Sequence, residues 1–254
     1  HHFKGTKLIL TIHSFDRPSV SLSRIEIFDR NVSFSGNSTV WQFAPRFIVE
    51  WLKDSYGDDY YLLEIDSSSQ KVEFHPLEWF RSDVYDWGYQ SVYDVSEIPK
   101  TSLLLFSIQR SSSPVLYDFV SKTVVSELKL AGRGGNPLFK FRKQETELWT
   151  VDYDTLVKLE IGSWKILQKK KFQMPNFGCT MTFVGDFAFT PNEKHCALAR
   201  PYSNDVLLLD AEDMKEVGKI KSKFQPLPVV VLNNLECIYR DWQTGKFDFQ
   251  SFSV

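Results

Sequence analysis

One arrangement recurs along this chain and narrows what it can become: an apolar strand that ends in an acid and passes through a polar turn into a further strand. It is clearest from Phe187 to Lys221, FAFTPNEKHCALARPYSNDVLLLDAEDMKEVGKIK. Phe187 and Phe189 alternate, Thr190 to Lys194 make a polar turn, and His195 to Arg200 alternates again before Pro201 to Asp205 breaks the run. Val206 to Leu209 is a dry strand closed by Asp210. Val217, Lys219 and Lys221 then alternate with Gly218, Ile220 and Ser222, the pattern of an outer strand with one wet face. The stretch predicts four short strands joined by tight turns in one antiparallel meander.

The acid-closed strand returns at IEIFD (Asp29), LLEID (Asp66), VLYD (Asp118) and LLLD (Asp210), and in weaker form at VKLEIG (Gly162) and CIYRD (Asp241). The intervals of roughly 30 to 50 residues are those of propeller blades and too long for leucine-rich or ankyrin repeats. The sequence therefore predicts an all-β chain, a β-propeller of six four-stranded blades with seven as the alternative, in one domain spanning residues 1–254. The second blade is expected to start at Pro45 and the last at Pro226. The strand-end acids have a structural task, since each carboxylate can accept backbone N–H groups of the turn that follows. No stretch predicts a helix longer than a turn or two.

The fifth unit resembles the blades of the WD40 and YVTN-type propellers, in which a strand, a P-[DN]-x-K turn, a second strand and V-x-[VL]-[LI]-D follow in order. The matching pieces are Phe189-Thr190-Pro191-Asn192-Glu193-Lys194 and Asn204-Asp205-Val206-Leu207-Leu208-Leu209-Asp210. The Trp-Asp dipeptide is missing, and Asp86-Trp87 and Asp241-Trp242 run the other way. The resemblance implies an architecture that both scaffolds and enzymes use, so it fixes no function.

Composition removes several classes of function. With 43% hydrophobic and 24% charged residues the chain can bury a substantial core. A formal net charge of −2 gives no footprint for a phosphate backbone, so no nucleic-acid partner is expected. The basic run Lys169-Lys170-Lys171 falls on an outer strand, where it discourages edge pairing. No run of about 18 apolar residues exists to cross a membrane as a helix, and no membrane partner is expected. Cys179, Cys196 and Cys237 are odd in number and spaced unlike metal ligands, so they read as buried free thiols and lean towards a reducing compartment. The compartment is otherwise open.

Chemistry motifs are sparse. There is no G-x-S-x-G, phosphate loop, H-E-x-x-H or C-x-x-C, and Gly132 to Asn136 lacks the Lys-Ser/Thr of a nucleotide cradle. His13, His75 and His195 stand singly on strands and read as core or surface residues. No catalytic residue, metal or cofactor is expected. Two functional readings stay open. The first is a module that binds a protein or peptide at the rim or mouth of the propeller. The second is a hydrolase or lyase in the central channel, with or without a metal, which needs three or more Asp, Glu, His or Asn side chains converging on the axis.

For the first reading the candidate contacts are Tyr85, Trp87 and Tyr89 in the aromatic and acidic segment Glu78 to Tyr93. Arg46, Arg133, Asn136, Asn176 and Phe177 come from turns expected at the same mouth. If Trp87 and Tyr89 anchor a partner, Trp87→Ala should cost on the order of 2 kcal/mol of binding and leave stability nearly unchanged. If they roof a blade, it should cost about 3 to 5 kcal/mol of folding energy. Thermal unfolding of Trp87→Ala decides between these outcomes, and a drop of many degrees removes the segment from the binding surface.

Overall fold

Among the described residues every sheet is built from antiparallel strands that are neighbours in the chain. The computed structural model describes residues 6–13, 21–29, 40–43, 46–52, 60–66, 69, 71–76, 92–108, 113–130, 138–152, 154–173, 184–223, 225–241 and 243–253. Among them the backbone divides into two compact units, His1–Gln90 with Val120–Val124, and Ser91–Phe119 with Val125–Val254.

In the first unit β1 (Thr6–His13) pairs with β2 (Ser21–Asp29), from Thr6 opposite Asp29 to Thr11 opposite Arg24. A four-stranded sheet follows in chain order: β3 (Val40–Phe43), β4 (Arg46–Leu52), β5 (Tyr60–Asp66) and β6 (Lys71–Pro76). This sheet begins before Pro45, where the sequence reading starts it. The four residues of β3 are too few to show an alternation, and only Ala44-Pro45 separates them from β4. The expected outer strand Val32 to Ser35 lies outside the described residues.

Two further four-stranded meanders come next in the chain: β7 (Val92–Glu97), β8 (Leu103–Ile108), β9 (Val115–Asp118) and β10 (Thr123–Glu127), then β11 (Leu138–Arg142), β12 (Glu147–Asp152), β13 (Thr155–Glu160) and β14 (Ile166–Lys171). A fourth contains β15 (Asp186–Phe189), β16 (His195–Arg200), β17 (Asp205–Asp210) and β18 (Glu216–Lys221). The last sheet has, among the described residues, three strands, β19 (Pro226–Val231), β20 (Glu236–Asp241) and β21 (Phe247–Ser251). Among the described residues the only helical piece is a 3-10 turn at Pro201–Ser203. Four-stranded up-and-down sheets repeated in this way are the blades of a β-propeller.

Side chains of the second unit explain why its sheets stack. Leu105, Leu116, Leu148, Val157 and Leu159 form one core between successive sheets; Trp149, Leu156, Phe187, Leu198 and Leu207 form the next. Ala197, Val206, Leu208, Val229, Cys237 and Tyr239 form a third. β16 and β17 feed two of these cores at once, so their central residues are buried on both faces. The alternation read in His195 to Arg200 is therefore not one of exposure: burial on both sides favours small and apolar residues at successive positions. Gly185 stands where the chain before β15 is crowded by β19, because a Cβ there would lie 2.6 Å from Leu227 Cδ1 and 2.8 Å from Pro201 Cγ.

The strand-end acids do what their position suggests. Asp66 Oδ1 accepts from Ser69 N at 3.2 Å, Asp210 Oδ1 from Glu212 N at 2.7 Å, and Asp241 Oδ1 from Thr244 N at 2.7 Å. Each carboxylate fixes the first turn of the hairpin behind it.

Cys196 and Cys237 are free and wholly buried, and Cys179 lies outside the described residues. Burial pushes both thiols up, Cys237 to about 12, so neither forms a thiolate near neutral pH. Alkylation of the native protein followed by mass spectrometry should leave Cys196 and Cys237 unmodified until denaturant is added. Rapid labelling of either would show that its sheet opens locally.

Candidate interaction face

Most residues that the sequence proposes for binding, Tyr85, Trp87, Tyr89, Arg133, Asn136, Asn176 and Phe177, lie outside the described residues. Arg46 opens β4, where its backbone stands opposite Phe43 and Asp66. By chain position 131–137 joins β10 to β11 and 174–183 joins β14 to β15.

The described residues instead gather charge at the hairpin turns of two neighbouring sheets in the second unit. Arg142 ends β11 and is 3% exposed. Its Nε donates to the Glu193 carbonyl at 2.9 Å, and Nη1 donates to Glu147 Oε2 and to the Ala211 carbonyl, each at 2.9 Å. Nη2 donates to Glu212 Oε1. Beside it Lys158 Nζ donates to the Glu212 carbonyl at 2.7 Å and lies 5.4 Å from the centre of the Trp149 ring. Lys143 Nζ bridges Glu147 at 2.9 Å and Glu212 at 3.0 Å.

Burial pushes the Glu147 carboxyl up, but hydrogen bonds from Lys143, Trp149 and Arg142 together hold it below its ordinary value. The Arg142 hydrogen bond, helped by Lys143, brings Glu212 down to about 2. Burial lowers the Lys158 ammonium. Every charge here is spent on a partner in the neighbouring turns, so the cluster clamps two sheets together. Arg142 carries no signal in the sequence, because a single basic residue after LFKF reads as the end of a strand.

A different surface is open. In β8 and β16 the central residues are buried without alternation, whereas β20 alternates between exposed or half-buried Glu236, Ile238 and Arg240 and buried Cys237, Tyr239 and Asp241. Register extends that contrast across the last sheet. Val230 stands opposite Ile238, Ile238 opposite Phe249, and Arg240 opposite Phe247. Val230 is 50% exposed, Phe247 64% and Phe249 69%. The other face carries Val229, Val231, Cys237 and Tyr239 into the core shared with β16 to β18.

Along its outer strand the usual order is reversed. Phe247 and Phe249 meet solvent, while Asp248 and Gln250 share the face of the core and join Tyr239: Tyr239 Oη donates to Asp248 Oδ2 at 2.7 Å, and Gln250 Nε2 donates to the same oxygen at 2.8 Å. The sequence predicts a strand here, but phenylalanines at alternate positions read as core. The contrast of Phe with Asp and Gln at period two was the available signal.

Among the described residues one group of three has metal-binding side chains near one another: Glu64 on β5 with Glu73 and His75 on β6, their ligand atoms within 4.8 Å of one another. His75 is wholly buried, and its Nε2 donates to Glu64 Oε2 at 2.9 Å. Glu73 pairs with Lys71 and, at 3.5 Å, with Lys122. Those two ammonium groups already supply the compensation a cation would bring to Glu73. The group also sits on the last two strands of one sheet, so it is not the convergence of several blades that the channel-enzyme reading requires.

No family model and no curated protein matches the chain in sequence. Solved structures do match in fold. The β-propeller domain of Cps50 (Swd1) from Myceliophteria thermophila superimposes with a TM-score of 0.59 at 10% identity, covering 91% of this chain and 76% of that one. A candidate 6-phosphogluconolactonase from Bacteroides fragilis gives 0.61 at 11% identity over 96% of this chain and 76% of that one. A chain of the mitotic checkpoint complex gives 0.59 at 11% identity over 87% and 64%. The chain has the β-propeller fold and is similar to WD40-type propellers, and at these identities the likeness concerns the fold alone.

The polar clamp gives a test of what joins the sheets. Arg142→Met leaves Glu147 as a buried carboxylate short of its partner and should cost about 3 to 5 kcal/mol in denaturant unfolding. The two carboxyls titrate below their ordinary 4.5 in the folded state. Their contribution is therefore complete above that value and lost as pH falls through the folded values, towards about 2 for Glu212. Acid titration of stability should show this loss in the parent protein and a weaker one in Arg142→Met.

Proposed function

We propose that the chain is a protein- or peptide-binding module, one propeller domain over residues 1–254, that uses the open face of the β19–β21 sheet as a docking surface. The observation that carries the reading is the row Val230, Ile238, Phe249 with Phe247 beside it: apolar side chains held in register on a rigid sheet and left in solvent. Aromatic rings fixed by backbone pairing offer large contact area at small entropic cost. Glu236 and Arg240, exposed at the two ends of the same face of β20, supply a polar rim. The likeness to Swd1 and to a chain of the mitotic checkpoint complex supports the scaffold, and the second of these is by its name part of an assembly. In this reading Tyr85, Trp87, Tyr89, Arg46, Arg133, Asn136, Asn176 and Phe177 belong to a second contact surface at the propeller mouth.

A Phe247→Ser/Phe249→Ser variant separates docking from internal cover. Removing exposed rings should change stability by about 0.5 kcal/mol or less, so the melting temperature should stay within a few degrees of the parent. A photoreactive residue at position 230 should cross-link a discrete partner in the parent and lose it in the double variant. A melting temperature lower by many degrees would mean that the chain itself covers these rings, and a parent that yields no cross-linked product would also refute the reading.

A further inference from the structure

The seam between the sheets β11–β14 and β15–β18 comes to the surface between their fourth strands, and register shows what stands there. Leu156 and Leu207 meet in the core that the two sheets share. On the fourth strands the residues opposite them are Lys170 of β14 and Lys219 of β18. Residues paired across antiparallel strands share a face, so the two lysines line the rim of one seam from its two walls. Lys221 follows on the face of Lys219, opposite Asp205, and Gln168 precedes Lys170, opposite Lys158.

Towards the turn at 210–214 this seam is closed. Gln168 Nε2 donates to the Asp213 carbonyl and Lys158 Nζ to that of Glu212, each at 2.7 Å. Away from the turn it holds cationic charge in excess. Among the described residues Lys170 makes no hydrogen bond or ion pair. Lys219 stands 3.6 Å from Glu216, both of them in solvent, where such a pair contributes little. Lys221 lies 3.5 Å from Asp205, whose two oxygens already accept from Arg200 at 2.7 Å each. The same guanidinium lies 6.0 Å from the centre of the Phe172 ring, two residues beyond Lys170.

Guarding an edge against further pairing needs lysine on the strand and is indifferent to the face it takes. In β18 the face away from this seam carries Gly218 and Ile220 and no lysine. In β14 the other face carries Lys169, opposite Val157 of the preceding core, and Lys171, which lies 3.6 Å from Asp154. Only the seam between β14 and β18 therefore has lysines shown on both of its walls.

We propose that this rim, with Lys170 on one wall and Lys219 and Lys221 on the other, takes a short acidic segment of a partner protein whose carboxylates bridge the two walls. Lys219 and Lys221 are about 7 Å apart along their strand, the spacing of alternate residues in an extended chain, so two acids separated by one residue meet both. A uniform polyanion fits less well. Towards the turn the same seam carries Glu212, Asp213 and Glu216, and negative charge continued past the lysines meets these acids. The surface is separate from the β19–β21 face and does not depend on its docking role.

A fluorescein-labelled peptide of alternating glutamate and serine, titrated with the whole protein at low salt, should bind saturably by anisotropy, and its glutamine-serine counterpart should not. Lys170→Gln and Lys219→Gln should each weaken binding about threefold and together about tenfold, since separate contributions add. Lys169→Gln/Lys171→Gln removes the same charge from the other face of β14 and should leave binding within about twofold of the parent. Equal loss in that control would reduce the effect to net charge and overturn the inference, as would no saturable binding or indifference to Lys170 and Lys219. Oligothymidylate or phosphatidylserine vesicles held more tightly than the peptide through the same lysines would overturn a protein segment as the occupant. Phe247→Ser/Phe249→Ser should leave peptide binding unchanged, so this inference and the docking role of β19–β21 fail separately.

Discussion

Burial on both faces of the middle strands is the constraint on which the second unit depends. A sheet whose second and third strands are dry on two sides cannot stand alone in water, since about half of its apolar surface needs a neighbouring sheet. Leu198 and Leu207 point to one side and Ala199 and Val206 to the other, so β16 and β17 belong to two cores at once. Gly185 records how close β19 comes to the chain before β15, and Asp186 Oδ2, which accepts from Val229 N at 3.0 Å, ties β15 to β19 at the same place. Hydrophobic contact is non-directional and would tolerate some sliding of one sheet over the next. Arg142, with three acceptors in two turns of the neighbouring sheet and a fourth, Glu147, in its own hairpin, adds the direction that apolar packing lacks.

This division of labour explains what could be read in the sequence. Third strands such as VLYD and DVLLLD are short apolar runs ended by an acid, and both features follow from local physics: two-sided burial and a carboxylate turned onto the next backbone N–H groups. Asp66 and Asp210 make those contacts, and Asp241 makes the same one at the end of a second strand. Outer strands were legible for the complementary reason, because one wet face leaves the lysines of ILQKKK and EVGKIK in alternation with Ile166, Gln168 or Ile220. β3 was not legible, since four residues cannot establish a period. Nor was the burial of His195 to Arg200, where an apparent alternation of small residues hid a second core.

The candidate site was less legible than the fold, and the reason is that exposure is a property of what lies alongside. LysPheAspPheGlnSer, residues 246–251, predicts a strand wherever it occurs; only the packing around β21 decides which of its faces is a surface. Arg142 is the converse case, a charged residue that the sequence places at a strand end and the fold places in the interior. The aromatic segment around Trp87 drew attention by composition, which reports the capacity for contact and not its location.

The comparison of repeats carries the functional argument furthest. A sheet face that meets water usually carries polar residues. The β19–β21 sheet departs from that rule in a selective way. Its inner face retains the positions of a stacked sheet, with Cys237 in the place of Cys196 and Tyr239 in that of Leu198, both buried. Its outer face retains apolar residues too, Ile238 where β16 has Ala197 and Phe249 where β17 has Leu208, but there they are half-buried or exposed. Polarity has entered the third strand on its other side, at Asp248 in the place of Leu207 and Gln250 in the place of Leu209. A polar cap would carry charge across the whole outer face. Apolar residues kept in register across that face are instead what the docking role proposed for this sheet rests on.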